Sequence, residues 1–100
     1  MGDEEIFSYE EDFLFPVWPS PAVANDRLHI AFYLKERARV TFEFMNSRGQ
    51  VLVSLSLENE LPEGLQWHNF ELTCPPGSYF LRMKTSTGSE ERVSVEVIAE

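Results

Sequence analysis

From Leu28 onward, apolar side chains fall on every second residue: Leu28, Ile30, Phe32 and Leu34, then Val40, Phe42 and Phe44, then Val51, Val53, Leu55 and Leu57. A period of two belongs to β-strands, whose successive side chains point to opposite faces, and it offers a helix no continuous apolar stripe. The first run ends at Lys35-Glu36-Arg37, a charged link. The second ends at Asn46-Ser47-Arg48-Gly49, where turn-forming residues precede a glycine free to take positive φ. Residues 39–45 and 50–57 are therefore expected to pair as an antiparallel hairpin.

The same reading extends along the chain. Glu58 to Gln66 carries Pro62 and Gly64 among polar residues and reads as a connection, after which His68, Phe70 and Leu72 alternate with Trp67, Asn69 and Glu71. Cys74-Pro75-Pro76-Gly77 ends that strand, because two prolines remove two ladder donors. Tyr79, Leu81 and Met83 then alternate with Phe80, Arg82 and Lys84, a turn follows at Ser86 to Ser89, and Val93, Val95 and Val97 complete a second hairpin. With a short segment near Phe13 to Val17, about seven strands lie at close spacing with turn signals between them. This predicts an all-β fold, an antiparallel Ig-like β-sandwich, with a small β-barrel as the alternative.

One hundred residues hold one core, and 43% apolar content supplies it without a metal or crosslinks. The formal charge of −9 repels phosphate backbones and anionic lipid surfaces, so nucleic acid is not an expected partner. The longest unbroken apolar run, Ile30 to Leu34, is far short of a membrane-crossing helix, so membrane insertion is not expected. Residues 1–12 contain six acids and no base, and are read as a loosely held acidic tail preceding a domain over 13–100. Phe7, Tyr9 and Phe13 within and just after that stretch, together with Trp18, are candidate partner contacts. Trp18 and Trp67 are otherwise expected to cap the ends of the core.

Chemistry-bearing constellations are sparse. His29 and His68 have no Cys or Asp at ligand spacing, so no metal site is expected. No Gly-x-Ser-x-Gly elbow or comparable frame surrounds a nucleophile, and no glycine-rich phosphate loop occurs, so the chain reads as a non-enzyme without cofactor or small-molecule substrate. Asn25-Asp26 offers a turn rather than a calcium site. Cys74, the single cysteine, reads as a small strand-end residue. The basic residues Lys35, Arg37 and Arg39 read as a solvated strand link or a holder for the acidic tail.

The order of several segments carries a resemblance. Trp18-Pro19-Ser20-Pro21, then Leu28-x-Ile30-x-Phe32-x-Leu34, then Val40-x-Phe42-x-Phe44-x-Asn46-x-x-Gly49-x-Val51, then Glu63-Gly64 with Trp67 to Leu72, then Pro76-Gly77-Ser78-Tyr79-x-Leu81 succeed one another over roughly residues 13–98. This succession resembles the C-terminal sorting domains of type IX secretion cargo in Bacteroidota, and the related Ig-like domain of flagellar hook-capping proteins. The resemblance implies a noncatalytic secretion or cell-surface attachment signal, with the secretion translocon or another surface protein as partner. It also implies an extracellular or cell-surface location, or a cytoplasmic one if Met1 is the native start. The matching recognition residues would be Pro19, Pro21, Gly49, Gly77 and Tyr79. Two alternatives stand beside it: a stand-alone adaptor that binds protein through its acidic-aromatic N-terminal segment or a sheet edge, and a small carbohydrate-binding domain. For the latter, Tyr33 and Phe80 are candidates because they face away from the main alternation.

Overall fold

The computed structural model describes residues 11–100. Eight strands run in order: β1 (Phe13–Leu14), β2 (Ala22–Val23), β3 (Arg27–Leu34), β4 (Val40–Asn46), β5 (Val51–Ser56), β6 (Gly64–Glu71), β7 (Gly77–Thr85) and β8 (Glu90–Ile98). They form two sheets, one of three strands in the order β1-β3-β6 and one of five in the order β2-β8-β7-β4-β5. All pairings are antiparallel except β2 with β8. The chain is thus an all-β sandwich, with the two expected hairpins at β4-β5 and β7-β8. Beyond the expected strands lies β2, a two-residue segment between Pro21 and Asn25 with too little alternation to declare itself.

The core lies between the sheets and is built by the alternation. Leu28, Ile30, Phe32 and Leu34 from β3 meet Val40, Phe42 and Phe44 from β4, Tyr79, Leu81 and Met83 from β7, and Val95 and Val97 from β8. Aromatic rings lock this contact edge to face, with the Phe32 and Phe42 centroids 5.2 Å apart at 77°. Strands β3, β4 and β7 bury at least every second residue along most of their length, as strands facing a core must.

Strand β5 departs from the expected pattern. Its register on β4 runs from Thr41↔Ser56 to Phe44↔Val53 and then shifts to Met45↔Val51, leaving Leu52 as an extra residue. A bulge of this kind reverses which face the following residue occupies, so Val51 does not point inward as the alternation suggests. The five-stranded sheet is also wider than its partner, and β5 is its edge. Val51, Leu52 and Val53 are consequently all exposed, at 45%, 47% and 38%.

A second departure concerns the expected tail. Asp12 is only 3% exposed. Its carboxylate accepts the backbone N–H of Lys35 at 2.9 Å and the Thr85 hydroxyl at 3.4 Å, tying β1, the β3-β4 link and the end of β7 together. Asp12 therefore belongs to the folded body, where it satisfies donors that the charged link would otherwise leave unmet.

Candidate functional site

Two surfaces stand out. The first is the outer face of the three-stranded sheet. Residues directly opposite one another in an antiparallel pair share a face, so the register Tyr33↔Leu65, Ala31↔Trp67, His29↔Asn69 and Arg27↔Glu71 places all eight on the side away from the core. Phe13 opposite Tyr33, and Trp18 bridged to His29, extend the same face across β1 and the segment after it. Trp18 and Trp67, expected to cap the core, instead have 66% and 69% of their surfaces exposed. Their strand positions have odd parity relative to the buried row and turn them outward. Trp18 rests on the His29 ring with centroids 5.0 Å apart.

The second surface is the edge at β5 and the cleft beside it. The cleft holds about 250 Å³ and is lined by Phe44, Leu52, Val53, Phe70, Thr73, Cys74 and Pro75. It opens where the narrower sheet stops short of β5, so Phe44, Phe70 and Val53 form its apolar floor and wall. Cys74 is a free, half-buried thiol packed against the core at its rim.

The outer face of the five-stranded sheet differs in character from both. Arg82 donates to Glu43 through Nε at 2.8 Å, and Lys84 lies 4.0 Å from the same carboxylate. The Arg92 guanidinium sits 4.7 Å above the Phe80 ring. Phe80 and Tyr33 therefore occupy different sheets, and Tyr33 is buried, so the pair does not make a shared aromatic platform.

The structure distributes the sequence-derived candidates rather than gathering them. Phe13 and Trp18 share the outer face of the three-stranded sheet, whereas Phe7 and Tyr9 lie outside the described residues. Pro19 and Pro21 shape the loop between β1 and β2, each following a cis peptide bond. Gly49 has φ +86° in the β4-β5 turn, a conformation that disfavours any side chain. Gly77 begins β7, and Tyr79 is buried beneath it, with its hydroxyl donating to the Pro75 carbonyl at 2.6 Å. Burial pushes the Tyr79 hydroxyl pKa above its ordinary value, helped by the neighbouring Cys74 thiol. These five residues shape turns and core at separate places. Trp67 and the β5 edge were missed as candidates. The clue for β5 was its composition, since Val51–Ser56 has no charged residue.

Among the described residues, no group of three or more His, Cys, Asp or Glu could hold a metal ion, and no helix is long and apolar enough to cross a membrane. No family model matches the chain, and no curated protein sequence matches it. Among solved structures it is similar to a Parabacteroides merdae β-glucuronidase (17% identity, TM-score 0.53), with 90% of this chain covered and 14% of that one. It is also similar to CopC from Methylosinus trichosporium OB3b (17% identity, TM-score 0.52), with 90% and 94% covered. An engineered protein matches at 18% identity and TM-score 0.52, over 90% of this chain and 20% of that one. The chain thus spans a small part of the glucuronidase and nearly the whole of CopC. Likenesses at such identity show the β-sandwich fold alone.

Proposed function

We propose that this chain is a noncatalytic Ig-like module that works by docking a protein partner, and that β5 is its docking strand. The observation that carries the reading is the state of the sheet edges among the described residues. Edge strands template pairing with other chains, and proteins blunt them with shortness, charge, proline or bulges, of which β5 carries only the bulge at Leu52. Strands β1 and β2 are two residues long, the open part of β8 carries Glu90, Glu91 and Arg92, and β6, though uncharged before Glu71, intersperses Gln66, His68 and Asn69 where β5 has the exposed apolar run Val51, Leu52 and Val53. Strand β5 spans six residues with no charge and no proline.

An incoming extended segment would bond to the open side of β5 and lay an apolar side chain into the adjoining cleft. The order of motifs over residues 13–98 supports a secretion translocon or other cell-surface protein as the partner. The hairpin β7-β8 is less suited to the same role, because β7 lies inside the sheet between β4 and β8.

The ladder identifies a clean test. Leu57 N–H donates to the Val40 carbonyl at 3.0 Å, so by antiparallel alternation Leu55 and Val53 also bond to β4, and the N–H of Ser54 faces the open side. Ser54→Pro removes that outward donor while sparing the β4 ladder. A passenger carrying the full chain at its end is expected to reach the surface of a type IX-secreting bacterium, and the Ser54→Pro fusion is expected to stay inside though folded. Retention of a properly folded wild-type fusion counts against the translocon as partner. Equal delivery of both fusions counts against β5 as the docking strand.

A further inference from the structure

We propose that the outer face of the three-stranded sheet, between Trp18 and Trp67, binds a short neutral oligosaccharide. The face is a lattice fixed by register. Trp67 on β6 sits opposite Ala31 on β3, one row from the pair His29 and Asn69, and Trp18 flanks His29 on the other side. With strands about 4.8 Å apart and same-face residues about 6.8 Å apart, the two tryptophan backbones stand about 12 Å from each other. Ala31 between them is small, so the floor of the interval is low, with the exposed Trp67 indole at one end and the Trp18 indole tilted over the His29 ring at the other.

The polar groups within the interval are those a hydroxylated ligand requires. The His29 Nδ1 lies 2.7 Å from the Asn69 Oδ1. A carbonyl oxygen only accepts, so Nδ1 carries the hydrogen, and in the neutral ring Nε2 is left as an acceptor while the Asn69 amide retains its donors. Among the described residues, neither group has another hydrogen-bond partner, and neither indole N–H is bonded. One acceptor beside one donor, under an exposed aromatic ring, matches the hydroxyls and apolar C–H face of a pyranose. A sugar ring stacks its C–H groups on an indole while its hydroxyls exchange hydrogen bonds at the edge.

Size and charge decide for this occupant over a protein. The interval is on the order of 10 Å by 14 Å, and even with Phe13 and Leu65 at its far end the three-stranded face, on the order of 14 Å by 27 Å, stays below the roughly 800 Å² that each partner contributes to a stable protein interface. Its charged residues, Arg27 and Glu71, stand opposite each other in the ladder and their formal charges sum to zero, so the face carries no net charge to select a charged ligand. The face belongs to the opposite sheet from β5, and the site is independent of the docking strand.

The test is native affinity electrophoresis of the full chain through gels containing xyloglucan, galactomannan, laminarin or hydroxyethyl cellulose. Tryptophan emission is followed in parallel as oligosaccharides of the retarding polymer are added. Retardation in at least one gel and a shift of emission are expected. Trp67→Ala should abolish retardation, and Trp18→Ala and Asn69→Ala should each weaken binding by about tenfold, the scale of a single anchoring contact. Arg92→Ala, on the other sheet, and Ser54→Pro, in the docking strand, should leave retention unchanged. Passage of folded wild-type protein through all four gels without retardation overturns the proposal, as does retention that survives Trp67→Ala. A dimer in sedimentation velocity that Trp67→Ala dissolves would also overturn it, assigning the face to contact between copies.

Discussion

Asp12 shows how little a single residue's neighbours in sequence say about its role. It closes an acidic run, and its composition reads as solvated, yet its carboxylate is buried against donors 23 and 73 positions away. No local pattern encodes such partners. Asp12→Ala leaves the Lys35 N–H without its acceptor and should cost about 1–3 kcal/mol in urea unfolding, whereas Asp12→Asn, which keeps an acceptor oxygen, should cost less. Equal losses would show that charge rather than hydrogen bonding matters there. Tyr79 yields a pH prediction. Its folded pKa lies above the ordinary value near 10.0, so burial favours the neutral hydroxyl. The associated stability is fully present below the unfolded pKa and is lost as pH rises from about 10 through the folded pKa. Thermal melts of Tyr79→Phe should therefore decline less steeply above about pH 10 than those of the parent. At neutral pH the variant should be weaker by about 0.5–1.5 kcal/mol for the lost bond to Pro75.

At the scale of the strand, alternation is legible where a strand is covered and misleading where it is not. Strands β3, β4 and β7 obey it because both sheets press on them, and their inward rows are the core. Phe42 is fully covered and touches Phe32 and His68, so Phe42→Ala should cost about 3–5 kcal/mol. A loss under about 1 kcal/mol in chemical unfolding would contradict its placement. Strand β5 has an equally regular run of Val51, Val53 and Leu55, but a single inserted residue and an edge position override it. Neither leaves a mark in apolar spacing, because both follow from which strand lies opposite. Strand β2 escaped notice for a related reason, since two residues cannot show a period.

For the molecule as a whole, the sandwich was legible and its asymmetry was not. Period-two runs and turn residues announce two layers, but the number of strands in each depends on pairings between distant segments. That division, three against five, leaves one layer short and creates both the cleft at β5 and its exposed edge. Likewise the tryptophans read as core ends because large aromatics bury most area, although the alternation already sets Trp67 off the buried row, and the pairing of β3 with β6 and the bridge of Trp18 to His29 turn both outward.

The parallel pairing of β2 with β8 has a temporal meaning as well. Ala22 lies beside Val97, so a segment ahead of the long strands is held by the strand that follows all of them. Contacts of such separation close slowly, because a long loop must be ordered before any of it is rewarded. Until β8 is in place, β7 has an unfilled side and β2 has no strand to pair with. Completion of the five-stranded sheet therefore waits on its longest-range pairing, and the sandwich closes as one event rather than by gradual accretion along the chain.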